Sequence, residues 1–302
     1  MDHFDAPFLG SRAVAMGALT EHQLYHDFVR LYQGVYLSKR TPVTAAVRAR
    51  AAWLYAGPSA ILTGYSAAAL HGSKWIDASE PAEVIRVGHH RSTRNLIVHN
   101  CRLTSDEITV VDGIRVATAA RAGFDLGRRL ARIPAIVALD ALCGATGLKP
   151  VEMSRLAEQH PRARGLIRLR SVLQDVDGGA ESPPETRTRL VIVDAGLPRP
   201  ATQIPILGSD GWRFACSDMG WREWSVLVEC DGEHHWTDRR QRAWDIERAA
   251  RIEALGWRVI RVGAELLYDR PHELVRRVRA RRVRRYDDER AVTGEASRPL
   301  SR

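Results

Sequence analysis

Strict alternation of apolar and polar residues is typical of half-buried β-strands, and it recurs in short stretches along the chain. The stretches that alternate, or that are rich in β-branched and aromatic residues, are residues 28–37, 83–87, 96–100, 108–111, 224–229 and 257–262. We also expect a strand that ends at Asp218 and forms a hairpin with residues 224–229, turning at residues 220–223. Within the last stretch, alternation predicts that Trp257 and Ile260 lie on opposite faces.

Apolar residues spaced three and four positions apart predict helices around these strands. The predicted helical segments are residues 9–19, 21–27, 45–55, 66–70, 116–126, 134–143, 165–176, 184–195, the later part of 234–255, and 270–285. Thr20 is a suitable N-cap for the second segment. Ser182 followed by Glu185 has the spacing of a capping box, which predicts the start of the helix at 184–195.

The mixture of elements predicts an α+β or α/β chain of more than one domain. Gly178 and Gly179, followed by Ser182 and two prolines, form the clearest linker signal, so we place a boundary near residues 177–181. The predicted parts are a winged helix-turn-helix at 1–42, a helical and mixed α/β extension at 43–176, a third domain at 181–286 and a disordered tail at 287–302.

Composition bounds the class of protein and of partner. The 302 residues are 45% hydrophobic and 27% charged, which is ordinary for a globular protein, and the net charge of +9 favours a polyanionic partner. The four cysteines are isolated and show neither zinc-ligand nor disulfide spacing. No signal peptide or membrane-spanning apolar run is evident, so we expect a cytoplasmic protein that does not enter a membrane.

Three acids near the predicted hairpin stand out as candidate chemistry. Asp218 ends one strand, while Glu229 and Asp231 end the next and point the same way if that strand continues. Carboxylate oxygens of this kind suit Mg²⁺ or Mn²⁺. Such a site would suit phosphodiester hydrolysis. The alternative is that these are solvated acids, with Asp231 and Gly232 forming a turn.

The segment from 181 to 279 resembles domain-of-unknown-function family 559, a branch of the PD-(D/E)xK restriction-endonuclease-like nucleases related to very-short-patch repair endonucleases. The resemblance rests on SPPE at 182–185, AGLPRPATQ at 195–203, VECDGEHH at 228–235, Asp245-x-x-Arg248 and GWRVIRV at 256–262. It implies a mixed sheet flanked by helices, with Asp218 and Glu229 as metal ligands. Glu185 would be an outer acid, unless it only caps its helix. Asp231 stands where many relatives carry a catalytic lysine.

The missing lysine departs from the family pattern. No lysine follows Lys149, so none in this domain can orient the attacking water. Asp231 would then serve as base or as ligand to a second metal ion. His235 is the other candidate base, because an imidazole titrates near neutral pH.

The N-terminal half resembles the abortive-infection type IV antitoxins of the AbiEi-like class. The motifs that carry this resemblance are ALTEHQL at 18–24, VRLYQGVYL at 29–37, RARAAWLY at 48–55, ILTGYSAAALHG at 61–72 and ATAARAGFDLG at 117–127. A winged helix implies DNA binding, through Gln23 on the second helix and Arg30, Lys39 and Arg40 on or after the wing. The alternative is a winged helix used only for protein contacts.

The arginine-rich segment at 270–285 is a second candidate nucleic-acid surface. It carries eight arginines against one glutamate, and Arg276, Arg277 and Arg281 are its candidate phosphate contacts. The alternative is a solvated helix face.

Two functions therefore follow from the sequence. The first is a metal-dependent endonuclease acting on nucleic acid, expected to be double-stranded DNA, in defence or DNA repair. A homodimer would let it cut both strands. The second is an antitoxin-like transcriptional regulator that keeps a catalytically degenerate nuclease fold.

Overall fold

The computed structural model describes residues 4–86, 91–208, 210–231 and 239–293, without the side chains of residues 239–243, 245 and 283–293. The chain divides into two compact units, Met1–Gly178 and Gly179–Arg302. The division falls within the glycine pair at which the sequence predicts a linker. Across both units the fold is mixed α+β, with three sheets flanked by helices, as expected.

The first unit opens with a small three-stranded antiparallel sheet. Its elements are β1 (Phe8–Leu9), α1 (Gly10–Ala15), α2 (Glu21–Asp27), β2 (Phe28–Tyr32) and β3 (Val35–Ser38), with strand order β1-β3-β2. Thr20 caps α2 as predicted, since its hydroxyl accepts the Gln23 N–H at 3.2 Å. The predicted helix at 9–19 is wrong at both ends. Leu9 lies in β1, and Met16 lies beyond α1 with 72% of its surface exposed.

A second, five-stranded sheet forms the centre of this unit. Its strands are β4 (Ile61–Leu62), β5 (Ala82–Ile85), β6 (Leu96–His99), β7 (Ile108–Val111) and β8 (Ile114–Ala117), in the order β6-β5-β4-β8-β7. The helix predicted from Val116 is wrong at its start, because Val116 lies in β8, where it pairs with Thr109 of β7. Asp112 and Gly113 both adopt positive φ, 49° and 77°, which is the two-residue turn of a tight hairpin.

The described part of the unit also contains a short 3₁₀ helix at Ser105–Glu107 and six further α-helices: α3 (Ala45–Ala56), α4 (Gly64–Leu70), α5 (Ala119–Arg129), α6 (Arg132–Thr146), α7 (Pro150–Gln159) and α8 (Leu166–Leu173). Two glycines allow α5 to pack closely against its neighbours. A Cβ on Gly123 would lie 2.5 Å from the sulfur of Met153, and one on Gly127 would lie 2.5 Å from Leu169 Cδ1. The charged residues of α5 are therefore drawn into the interior.

The second unit is built on a four-stranded mixed sheet. Its strands are β9 (Ala201–Leu207), β10 (Arg213–Trp221), β11 (Val226–Cys230) and β12 (Arg258–Val262), in the order β12-β11-β10-β9. Strands β9, β10 and β11 are antiparallel neighbours, whereas β11 and β12 are parallel. The helices are α9 (Pro183–Asp194), α10 (Arg239–Ala254) and α11 (Pro271–Thr293), with a π-helical turn at Glu265–Asp269.

Two expectations for this unit are corrected. The strand expected to end at Asp218 continues to Trp221, so Asp218 lies inside β10 and the turn follows at residues 222–225. Gly220 belongs to the paired strand, where a Cβ would lie 2.2 Å from the Val226 carbonyl oxygen. The tail expected to be disordered from residue 287 is helical to Thr293, and residues 294–302 lie outside the described part of the chain.

The sheet has an apolar cluster on each face. One cluster joins Val228 and Ile260 to residues of α9 and α11, including Ile192 and Leu274. The other joins Leu227, Val259 and Trp257 to Ile252 of α10. The predicted separation of Trp257 and Ile260 is confirmed. Helix α10 thus carries the chain from β11 back to the parallel strand β12, as such a connection requires.

Within the described residues, no single helix is long and apolar enough to cross a bilayer. One bent pair, α6 with α7, passes the same length and composition test together but turns through 112° at its break.

Candidate active site

Asp218 is the partly buried centre of the predicted acidic cluster. The backbone N–H of Cys230 on β11 donates to its Oδ2 at 2.7 Å. The pKa of the Asp218 carboxyl is raised from 3.8 to about 7, mainly by burial; the negative charges of Glu185 and Glu229 also raise it, whereas the Cys230 hydrogen bond and the positive charge of Arg248 lower it. Three carboxylates from α9, β10 and β11 therefore lie close enough to repel one another.

Glu229 is held by a cation from α10. Arg248 Nη2 donates to Glu229 Oε1 at 2.8 Å, and the same nitrogen donates to the Cys216 carbonyl at 3.0 Å. Both members of the ion pair are mostly buried, with side-chain exposures of 13% and 19%. Arg248 thus points to the sheet beneath α10.

Glu185 closes the start of α9. Its carboxylate accepts the Ser182 hydroxyl at 2.7 Å and the Glu181 N–H at 2.8 Å, so the capping role is confirmed. The side chain is only 7% exposed, and burial raises the pKa of its carboxyl. Capping and proximity to Asp218 coexist, because both roles use the same buried carboxylate at the helix end.

Asp231 follows the end of β11 and is exposed. Its backbone N–H donates to the Val262 carbonyl at 3.0 Å, which extends the pairing with β12 by one step. Between it and Glu229, Cys230 packs on the apolar cluster, and burial raises the pKa of its thiol to about 12. His235 lies outside the described residues.

The set of Asp218, Glu229 and Asp231 does not form a ready metal cage. Among the residues that the structure describes, no group of three acidic, histidine or cysteine side chains is arranged to hold a metal ion. Two features explain why these acids do not enclose a metal ion. Arg248 forms an ion pair with Glu229, and Asp231 is exposed beyond the end of β11. Mg²⁺ commonly uses only one or two protein carboxylates with water and substrate phosphate, so Asp218 and Glu229 still fit its chemistry.

The candidate DNA-binding side chains of the first unit are partly engaged within it. The Gln23 side-chain oxygen accepts from the backbone N–H of Thr20 at 2.9 Å, and Lys39 Nζ donates to the His26 carbonyl at 2.5 Å. Arg30 on β2 and Arg40 after β3 are exposed. Lys39 is exposed as well, so each of these three cations is accessible to solvent.

Several arginines of α11 whose side chains the structure describes contact partners in their own unit. The Glu273 carboxylate accepts hydrogen bonds from Arg276 Nε at 2.6 Å and from Arg277 Nε at 2.9 Å. These hydrogen bonds lower the pKa of the Glu273 carboxyl to about 2. Arg282 stacks over Trp224, with its guanidinium carbon 4.7 Å from the ring centre. Arg281 is half-buried on the same helix. Arg276 and Arg277 are thus each paired with an acid, although the Arg276 side chain remains 73% exposed.

Sequence reasoning missed a buried charge network in the first unit. Asp125, fully buried on α5, accepts Arg121 at 3.1 Å, Arg128 at 2.6 Å and Arg129 at 3.2 Å. Glu107 accepts a second nitrogen of Arg121 at 2.7 Å. The signal was present, because arginine and aspartate spaced three and four apart in an otherwise apolar helix predict internal pairs.

Comparisons with known proteins give relatives without an assigned function. The uncharacterized proteins MT2308 and Rv2248, from two strains of Mycobacterium tuberculosis, are each 28% identical to this chain over 256 residues. The alignments cover 83% of this chain and 90% of each relative. No family model and no solved structure matches the chain.

Proposed function

We propose that the second unit is a metal-dependent endonuclease domain that hydrolyses phosphodiester bonds, with DNA as the expected substrate. The observation that carries the proposal is the meeting of Glu185, Asp218 and Glu229, which come from a helix and two paired strands and lie in a mostly buried position. Burying several like charges is costly unless a cation offsets them. The resemblance of residues 181–279 to the restriction-endonuclease-like nucleases supports the same conclusion.

The two strand carboxylates, Asp218 and Glu229, would hold the metal ion, and Glu185 would add negative charge behind them. A bound Mg²⁺ supplies polarisation of a phosphoryl oxygen and a lowered pKa for bound water. The Cys230 N–H holds one oxygen of Asp218 at 2.7 Å, which orients the carboxylate.

Arg248 offers the positive charge that the absent lysine would otherwise supply. It holds Glu229 through two nitrogens, at 2.8 and 3.4 Å, and a guanidinium has five N–H donors, so donors remain for a phosphate oxygen. A guanidinium stays protonated at any physiological pH. Arg248 would therefore stabilise charge without exchanging a proton, and the base would be Asp231 or His235.

The test is cleavage of plasmid DNA and of single- and double-stranded DNA and RNA oligonucleotides by the full chain, with Mg²⁺ or Mn²⁺. We expect Asp218→Asn and Glu229→Gln each to reduce the rate by about 100-fold or more. Glu253→Gln, which removes an exposed carboxylate from α10, is the matched control and should leave the rate unchanged.

Calorimetric titration with Mn²⁺ separates the outcomes of that test. Metal binding in the native chain that is lost in both variants supports the assignment. Absence of cleavage on every substrate, together with absence of Mn²⁺ binding, would overturn it.

The Arg248–Glu229 ion pair favours a second candidate, a regulator that binds DNA without cutting it. The pair already neutralises one carboxylate that a metal would need. In this case the winged helix, with Arg30 and Arg40 exposed, carries the interaction. Binding should then prefer DNA upstream of the protein's own gene and weaken steeply with salt. Equal affinity for all duplexes would contradict it.

A further inference from the structure

A cationic cavity in the first unit is separate from the proposed nuclease site. It has a volume of about 390 Å³ and lies between α5, the turn that follows α7 and the segment after β6. Its lining includes Arg102, Arg121, Arg128, His160 and Arg162. Small-molecule sites begin at about 300 Å³, so the cavity has room for a small organic ligand and is much larger than one water molecule requires.

The carboxylates that balance the positive charge of the lining arginines lie in the protein interior, outside the cavity lining. Asp125 and Glu107 do not line the cavity, and their side chains are 0% and 2% exposed. Burial raises the pKa of each carboxyl, but the arginine contacts and, at Glu107, the Thr104 N–H outweigh burial, so the pKa of both falls below its ordinary value. Both therefore remain ionised and hold Arg121 from behind.

The inner arginines are fixed in place before any ligand arrives. Arg121 is held by both acids, and Arg128 donates to Asp125 through Nε at 2.9 Å and Nη2 at 2.6 Å. The two guanidinium carbons lie 5.4 and 5.3 Å from the centre of the buried Phe124 ring. Each guanidinium retains N–H donors beyond those used by the acids. Such preorganised donors bind oxyanions at a low entropic cost.

The outer arginines carry charge that the unit does not neutralise. Arg102 and Arg162 are both exposed, and neither forms an ion pair with any residue that the structure describes. Together with the inner pair they present four guanidinium groups against the two buried acids. The remaining wall includes apolar surface from Pro161 and Ala163. This combination suits a ligand with a dianionic group and a compact organic part.

We infer that this cavity binds the phosphate monoester of a molecule of about mononucleotide size, with Arg102 and Arg162 contacting the phosphate from the rim. The phosphate could come from a free nucleotide or from the 5′ end of a nucleic acid, since the same monoester occurs in both. The inference does not depend on the proposed nuclease activity, because every residue it uses lies in the first unit.

Isothermal titration of the full chain tests it at constant ionic strength. The probes are adenosine 5′-monophosphate, adenosine, and one oligonucleotide with and without a 5′ phosphate. We expect binding only of probes that carry the phosphate. Arg102→Ala and Arg162→Ala should each weaken that binding by about tenfold or more, because charge-assisted contacts to phosphate are lost. Arg170→Ala removes an exposed arginine of α8 and should change nothing.

The two sources are distinguished by which phosphorylated probe binds more tightly. Tighter binding of the nucleotide would identify a free metabolite as the ligand. Tighter binding of the 5′-phosphorylated oligonucleotide would identify the end of a nucleic acid as the ligand. Equal binding of adenosine or of the unphosphorylated oligonucleotide would overturn phosphate recognition. So would no binding of either phosphorylated probe at about 5 mM, which would limit any affinity to about 3 kcal/mol. If Arg102→Ala and Arg162→Ala both bound the phosphorylated probes with the affinity of the native chain, the cavity would not be the binding site.

Discussion

The partly buried carboxyl of Asp218 makes the stability of the second unit depend on pH. Burial first, and then the neighbouring carboxylates, raise its pKa from 3.8 to about 7 in the folded chain. Between these two values the folded state keeps a proton that the unfolded state has released. Stability is therefore greatest below the unfolded pKa and is lost as the pH rises towards 7, by about 1.4 kcal/mol per pH unit and about 4 kcal/mol in total.

Asp218→Asn should remove this dependence. The amide oxygen can still accept the Cys230 N–H, and the side chain is neutral in both states. We expect the free energy of unfolding of the variant, relative to the native chain, to increase by about 3 kcal/mol between pH 5 and pH 8. Asp269→Asn, which removes an exposed carboxyl from the same unit, is the matched control.

Urea denaturation in a chelator, followed by tryptophan fluorescence, measures this change. Six of the eight tryptophans lie in residues 179–302, so the signal reports mainly on the second unit. If the difference between variant and native chain is the same at pH 5 and pH 8, Asp218 does not hold its proton in the folded state. The argument for a crowded acidic site would then fail.

Three further predictions concern contacts in both units. Thr20→Ala should cost about 1 kcal/mol in the unfolding of the first unit, because it removes an N-cap; an unchanged urea midpoint would contradict this. Asp125→Asn should lower the free energy of unfolding of the first unit by about 3 kcal/mol or more near neutral pH, and by less as the pH falls through the depressed pKa of Asp125. The control, Asp106→Asn, should change that free energy little in the same denaturation series. Arg248→Met should destabilise the second unit by about 2 kcal/mol, and a double-mutant cycle with Glu229→Gln should show coupling of about 1 kcal/mol or more; zero coupling would mean that the ion pair has no energetic role.

Local rules predicted the features that depend only on near neighbours. Thr20 and Ser182 act as caps because their hydroxyls need reach only three residues along the chain. Alternation placed Trp257 and Ile260 on opposite faces because strand geometry alone decides it. Asp218 and Glu229 were recognised as a pair from the expected hairpin, although the position of Asp218 within its strand was not.

Several of the contacts that the sequence did not predict depend on packing between distant elements. Arg248 reaches Glu229, 19 residues away, only because α10 lies across the sheet. The cluster around Asp125 requires Gly123 and Gly127 to draw α5 into the interior. On α11 the missed contacts are local, because Glu273 pairs with Arg276 and Arg277, three and four residues further along the same helix.

The parallel pairing of β11 with β12 has a consequence for the order in which the second unit folds. Strands β9, β10 and β11 are joined by short turns, whereas β12 must wait for α10 and the residues before it. Local hairpins form ahead of pairings that close long loops. A chain emerging from the ribosome would thus expose β11, including Glu229, as an open edge until β12 has emerged and paired with it. During that interval the unit is most open to mispairing with another strand.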